Sequence, residues 1–587
     1  MITPSSKLIS TPLFQSASRD ERLPSKDRLR LAHQRAKAIS QSYDLSVRDI
    51  LQCTEKFWDL HLDPLFVTDF SAWTFVVIQL NLAAGVIGYS SHQDNRHDLN
   101  YTLKRIIEFD VSSAFLMTEL GHGLDAIHLE TTATLLPNGN FDLHTPREEA
   151  QKYMAPTLPD VGVPRIGVVM ARLSVDSQDY GVRPFLVPLN DGKSMFKGII
   201  ASRLPDRPGA TPIGHALTHF NHVILPKEAL LGPLKPEHSP RIQLLSDTWR
   251  VAIGTATVGA LVIPVVKLVA SIVGIYSKKR TIINSQHSTV LEAFYKSIRV
   301  HFDGASKYRT ERLQIRSAYA TLFKAIAIRL GKASIADLGD RCGAQGLFGF
   351  NQLITAEMTM RGVAIAEGDT LVLSIRLVFE LLLERYSVSK PRNQQHPLAV
   401  HEVALIKELR SLLDMSKDMS LDRGGVRTRE EAYSPEKVMP SKETSLDHLL
   451  EVMTPPEKHA HRSEFANTQI LPRACSLVEA IGCRMAYEAA SEVGIDPLLL
   501  DLFYFGCVER DLGWYVENRV MSRQTFFRDE QRAISGLLPS LETLIEKAGM
   551  KPYITAKICD EGGWKEFVDG LDVGDNTQIS TRDPSRL

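Results

Sequence analysis

The chain has 587 residues, of which 44% are apolar and 23% charged, and carries a formal net charge of -1. A chain of that length holds about two to four domains. Its composition excludes a disordered polymer, and its balanced charge removes the basic excess expected of a nucleic-acid-binding protein. Cys53, Cys342, Cys475, Cys483, Cys507 and Cys559 form no C-x-x-C pair. Neither a zinc ribbon nor a disulfide scaffold is therefore expected, and a reducing compartment is the simple reading.

Residues 1 to about 25 read as polar and loose, without the continuous apolar core of a signal peptide. Helical spacing then runs from Asp27 to Asp59 and continues to about Val111. Two stretches are apolar enough to test against a membrane. Ala72–Tyr89 carries Gln79 and Asn81 near its centre, and Val251–Tyr276 carries Pro264 and Lys267. A spanning helix tolerates such residues poorly, so both are expected to be buried helices and no membrane span is expected.

From Ser112 to Leu231 short β-rich runs follow one another: FDLH at 141, IGVVMARL at 166, GVRPFLVPL at 181, FKGIIASRL at 196 and HVIL at 222. Gly, Pro, Asn and Asp punctuate them, which predicts an antiparallel β domain. Within it, Leu116–Leu135 reads LMTELGHGLDAIHLETTATL. Gly121 and Gly123 each weaken a helix by about 1 kcal/mol relative to Ala, while Thr131, Thr132 and Thr134 favour a strand. The segment is expected to be a loop that opens backbone amides and hydroxyls toward a ligand and then enters a sheet. His215, His219 and His222 lie close in sequence but at a strand, and no H-E-x-x-H occurs, so no metal site is expected. There is no P-loop and no G-x-G-x-x-G.

Long helical segments return from Ile242 to Ser387. In AIAEGDTLVLSIRLVFELL, from Ala364, Glu367 stands before Gly368 and a strongly apolar helix, and Leu371–Tyr386 is expected to be deeply buried. By residue type alone, a carboxylate there is ordinarily a helix cap. Yet Asp369 and Thr370 can supply the cap, which leaves Glu367 spare, with apolar flanks that would raise its pKa and make it a base. Both readings stay open on these residues. A polar, Pro-containing stretch from about Met415 to Phe465 reads as linker or surface excursion, and a last helical block runs from Leu471 to about Gly549.

Several blocks together resemble the peroxisomal acyl-CoA oxidases of the acyl-CoA dehydrogenase superfamily. They are Met117–Gly123 with Leu129–Thr134, Phe220–Leu231 (FNHVILPKEALL), Glu367-Gly368-Asp369, and DLFYFGCVERDLGWYVENRVMS from Asp501. The last resembles a helical domain that ordinary acyl-CoA dehydrogenases lack. The resemblance implies an α+β fold: a helical bundle (1–111), a small antiparallel β barrel on the flavin side (112–232), a central helical bundle carrying the catalytic Glu (233–400), an excursion (401–466) and an additional C-terminal helical domain (467–587).

It also implies FAD as cofactor, with Thr118, Gly123 and Thr157 at the flavin, and Glu367 as the base that removes the α-proton of an acyl-CoA. The product would be a trans-2-enoyl-CoA, with electrons passing to O2 to give H2O2, in fatty-acid β-oxidation or on a specialised secondary-metabolite acyl-CoA. Family partners would be a second copy in a homodimer and, through Ser585-Arg586-Leu587, a peroxisomal import receptor, with the peroxisome as location. A dehydrogenase with another acceptor and an inactive acyl-CoA-binding paralogue are the alternatives. The sequence departs from the family where Lys152–Pro159 reads KYMAPTLP, without two tryptophans and with Thr157 in place of a Gly. It departs again at Thr370, and where Gly343–Gly349 reads GAQGLFG.

Overall fold

In a computed structural model the described residues are 3–15, 23–93, 95–235, 239–277, 287–302, 313–423 and 462–571. The Ser585-Arg586-Leu587 address lies outside them. The longer helices are α1 (Ser25–Tyr43), α2 (Phe70–Val76), α3 (Ala84–Gln93), α4 (Leu99–Ile107), α5 (Pro240–Asp247), α6 (Trp249–Ala260), α7 (Val262–Ser277), α8 (His287–Ile298), α9 (Leu313–Asp340), α10 (Leu353–Ile365), α11 (Thr370–Leu382), α12 (Pro397–Arg423), α13 (Ala474–Glu492), α14 (Pro497–Glu509) and α15 (Arg523–Leu537). Helix α12 continues to Arg423, so residues 401–423, expected to belong to the excursion, are helical.

The helices before and after the β region share one apolar core, which runs from Phe14 through Trp58, Leu80, Val262, Phe323 and Ile481 to Ile558. The two membrane-length segments, Phe70–His92 and Trp249–Ser277, are mostly buried within it. Their polar residues have specific work. Between α2 and α3 the chain makes a π-helical segment, Val77–Ala83. There the Gln79 amide donates to the Ile106 and Val111 carbonyls at 2.7 Å and accepts from the Ser113 amide at 2.8 Å. This satisfies a buried amide and pins the start of the sheet to the helical body. Lys267 pairs with Glu292 of α8 at 2.5 Å.

The β region has a core of its own, around Phe141, Phe185, Val187 and Phe220. Its strands are β1 (Ser112–Leu116), β2 (Thr132–Leu135), β3 (Phe141–His144), β4 (Lys152–Tyr153), β5 (Arg165–Val175), β6 (Gln178–Asn190), β7 (Ile199–Arg203), β8 (Ala216–Phe220) and β9 (Val223–Leu225). They form a sheet ordered β1-β5-β2-β3-β9, with β6 on β5, and a second sheet ordered β4-β8-β7. The larger sheet is mixed, which corrects the antiparallel expectation. β6 covers one edge of β5, and β1 and β2 run parallel to β5 in succession on the other, from Ser112↔Arg165 to Leu116↔Val169 and then from Thr132↔Arg172 to Thr134↔Ser174. Met117–Thr131 therefore leaves the sheet and returns to the same strand edge.

Candidate active site

The excursion from Met117 to Thr131 is stitched at its base. Lys152, fully buried, donates to Glu119 Oε1 at 2.9 Å and to the Met170 carbonyl at 2.6 Å. The Glu119 carboxylate accepts from the Glu130 and Thr131 amides at 2.7 and 2.9 Å. Burial lowers the Lys152 pKa to about 8 against the opposing pull of Glu119. Arg172 holds the returning limb by donating to the Leu129 and Ile127 carbonyls at 3.0 and 2.7 Å. The turn between them is thus free to face outward.

It faces a cavity of about 580 Å3. One wall is Met117, Thr118 and Gly123–Ile127 of the loop, with Phe115 and Tyr153. The other comes from α6, α9 and the stretch from Glu367 into α11. Thr118, Gly123 and Glu367, three of the four residues singled out from sequence, therefore meet in one place. A Cβ on Gly123 would meet no atom within 4 Å, so the backbone there is open to a ligand. Thr157 does not line the cavity. It is fully buried, with its hydroxyl 2.7 Å from that of Thr218 and its carbonyl accepting from Asn190. Its side chain packs inside the β region, away from this cavity. Of the two residues standing where the family has tryptophans, Tyr153 lines the cavity and Met154 does not. Leu371 and Val372 of α11 are exposed, and Val372 and Leu373 line the cavity, so α11 is buried on one side only.

Asp369 caps α11, accepting from the Leu371 and Val372 amides, and Thr370 donates to the Ala364 carbonyl. Glu367 is left uncommitted to capping. It stands in the left-handed region at φ 54°, a strain of about 1–3 kcal/mol for a non-glycine residue. Three bonds hold it there. Lys324 of α9, fully buried, donates to the Ala366 carbonyl and, at 2.6 Å, to that of Gly368, and Thr255 of α6 donates to the Glu367 carbonyl at 2.7 Å.

The Glu367 side chain lies back against α6. A Cβ on Gly254 would fall 2.5 Å from Glu367 Oε2 and 2.9 Å from Asn81 Nδ2, so only glycine leaves room for the carboxylate. Gly259, five residues on, lets the α9 backbone approach: a Cβ there would sit 3.1 Å from Lys324 Cα. Arg250 is buried nearby, donating to the Asn81 carbonyl at 2.8 Å. By accessible surface Glu367 is only half-buried, because it lines the cavity, yet protein surrounds its carboxyl closely. Burial lifts its pKa from 4.5 to about 8, with Lys324 and then Arg250 pulling the other way. Burial also lowers Lys324 to about 7.

Sequence reasoning missed Gly254, Thr255, Lys324, Asn81 and Arg250. The signals were there: Lys324 is the one charge in Ala318–Ile328, and Asn81 interrupts an apolar run. Among the described residues no group of three His, Cys, Asp or Glu side chains is arranged to hold a metal. His215 and His222 instead bond to the Met154 carbonyl and to Asp142.

A carboxyl whose pKa burial raises stands beside a mostly apolar cavity set between a β region and a helical body, the setting in which a general acid–base group works. No family model matches the chain. The acyl-coenzyme A oxidase of Eremothecium gossypii is 32% identical over 140 residues, 23% of this chain and 19% of that protein. Peroxisomal acyl-coenzyme A oxidase 3 of Homo sapiens is 29% identical over 164 residues, 27% of this chain and 23% of that protein. The matched stretches thus span about a fifth of these curated relatives. Among solved structures, acyl-CoA oxidase 3 of Yarrowia lipolytica superposes with a TM-score of 0.72 at 17% identity, covering 99% of this chain and 89% of that one. Acyl-CoA oxidase-2 of Caenorhabditis elegans, bound with FAD, ascaroside-CoA and ATP, gives 0.62 at 13% identity, covering 96% of each. About a quarter of the chain is thus similar in sequence to acyl-CoA oxidases, and nearly all of it has their fold.

Proposed function

We propose that the protein is an FAD-dependent acyl-CoA oxidase in which Glu367 is the base. The observation that carries this reading is the placement of Glu367, unused in capping and raised in pKa, across one cavity from Thr118 and Gly123. The residues present fit the ring end of a flavin: an open backbone at Gly123, the Thr118 hydroxyl, and walls from Phe115, Met117 and Leu129. FAD bound there would supply the two-electron acceptor. The presence of FAD and ascaroside-CoA in the C. elegans structure supports the same pairing here.

The chain's own part is to bind and orient an acyl-CoA with its α-carbon beside Glu367 and to keep water from the carboxylate. The carboxylate takes the α-proton, and desolvation strengthens it for a weakly acidic C–H. O2 as final acceptor is supported by the oxidase architecture, which extends through the C-terminal helices. A peroxisomal location is supported by the human relative's name.

The test is reduction of the purified flavoprotein under argon by octanoyl-CoA and palmitoyl-CoA, followed by admission of air. Bleaching of the flavin band and rapid reoxidation with one H2O2 per enoyl-CoA is the expected result. A flavin that stays reduced in air yet responds to an artificial acceptor would instead make the protein a dehydrogenase. Glu367→Gln should retain flavin and lose at least about 10²-fold in the reduction rate; a normal rate would remove Glu367 from the role of base.

A further inference from the structure

Three successive carbonyls, those of Ala366, Glu367 and Gly368, are held by side chains from two different helices. Lys324 of α9 takes the outer two and Thr255 of α6 the middle one. Among the described residues Lys324 makes no other hydrogen bond or ion pair. It is completely buried in an apolar stretch of α9, and the charged groups that act on it are Glu367 and Asp369. Burying an ammonium is costly unless its protons are satisfied, and here two are spent on the carbonyls that flank one residue. Of those three residues, Glu367 is the one with a left-handed backbone that is not glycine.

We infer that Lys324, with Thr255, is a positioning residue that clamps the Glu367 peptide so that its carboxylate stays against Gly254 and points into the cavity. The inference rests on the reading of Glu367 as base. Without the clamp, the Ala366-Glu367-Gly368 segment can relax to an ordinary backbone, which swings the carboxylate away from the position a bound α-carbon would occupy. Misplacement by about an ångström is enough to cost about 10²-fold in rate. The charge matters as well as the hydrogen bonds. The charged groups acting on the Glu367 carboxyl are Lys324 from α9 and Arg250 from α6, and both favour its ionised form. Removing Lys324 should therefore raise the Glu367 pKa further.

The experiment compares Lys324→Met, Lys324→Arg, Thr255→Val and the double variant Lys324→Met/Glu367→Gln as full-length flavoproteins. Anaerobic reduction by octanoyl-CoA is followed across pH, and the protonated-carboxyl infrared band of Glu367, assigned by its loss in Glu367→Gln, is titrated. For Lys324→Met the expected result is retained flavin, a reduction rate about 10²-fold lower, a KM for octanoyl-CoA changed by less than the rate, and carboxyl titration displaced to higher pH. Thr255→Val, which keeps shape and loses one bond, should fall about tenfold. The double variant should be no slower than Glu367→Gln alone, because the lysine acts through the glutamate.

If Lys324→Met fails to fold, Lys324→Arg and Thr255→Val carry the same comparison. A normal rate and unmoved titration in the clamp variants, with Glu367→Gln inactive, would overturn the clamp and leave the base. A double variant much slower than Glu367→Gln would overturn it too, showing an action independent of the glutamate. A fully active Glu367→Gln would instead overturn the base reading itself.

Discussion

Gly254→Ala adds a single methyl group and should nonetheless be damaging. That methyl would occupy the place of the Glu367 carboxyl oxygen, so the carboxylate must move. Because Ala is the better helix former by about 1 kcal/mol, the melting temperature should not fall much while flavin reduction falls at least about tenfold. The pH behaviour follows from the same burial. With the carboxyl held near 8, the ionised base accumulates only as pH rises through that value, so kcat/KM for reduction should climb between about pH 7 and about pH 9. Stability runs the other way. A carboxyl raised from 4.5 to about 8 binds its proton more tightly in the folded chain. Its contribution is complete below pH 4.5 and is lost as pH rises through about 8. Glu367→Gln should therefore gain in melting temperature over its parent as pH is raised across that window, and a difference that does not vary with pH would contradict the buried, proton-holding carboxyl.

At the scale of elements, the excursion between β1 and β2 depends on one buried ion pair. Removing one partner of such a pair strands the other and typically costs about 3–5 kcal/mol. Lys152→Met should lower the melting temperature accordingly and weaken flavin retention, because Thr118 and Gly123 ride on the limb that Glu119 and Lys152 hold; unchanged retention would detach the loop from the flavin. Several elements were legible beforehand. The Gly- and Thr-rich character of Leu116–Leu135 announced a loop entering a strand, and Asp369 beside Thr370 announced the cap that frees Glu367. What escaped was long-range. The parallel pairing of β1 and β2 with β5 is a topological fact with no local signature. The inward turn of the Thr157 hydroxyl is set by Thr218, a partner 61 positions away. The approach of Lys324 and Gly254 to Glu367 joins residues 43 and 113 positions away in sequence (367 − 324 and 367 − 254), which no periodicity reports.

For the whole molecule, the shared helical core makes the C-terminal helices part of the body that carries Glu367. Helix α13 packs on α8, α9 and α12, and a Cβ on Gly482 would lie 2.5 Å from Ile326 of α9. A chain truncated after Arg423 would uncover Ile326, Phe294 and their neighbours and should be recovered as insoluble aggregate; a soluble, monodisperse truncation would show the central helices to be self-sufficient. The two walls of the cavity, by contrast, are anchored separately. The Lys152–Glu119 pair that braces one lies wholly in the β region, and the groups that brace the other, Thr255, Gly254 and Lys324, lie wholly in the helical body. Chimaeras that exchange residues 112–231 between homologues should therefore keep the raised Glu367 titration while trading flavin affinity, since such a graft replaces the wall that carries Thr118 and Gly123 and leaves the one that carries Glu367 untouched.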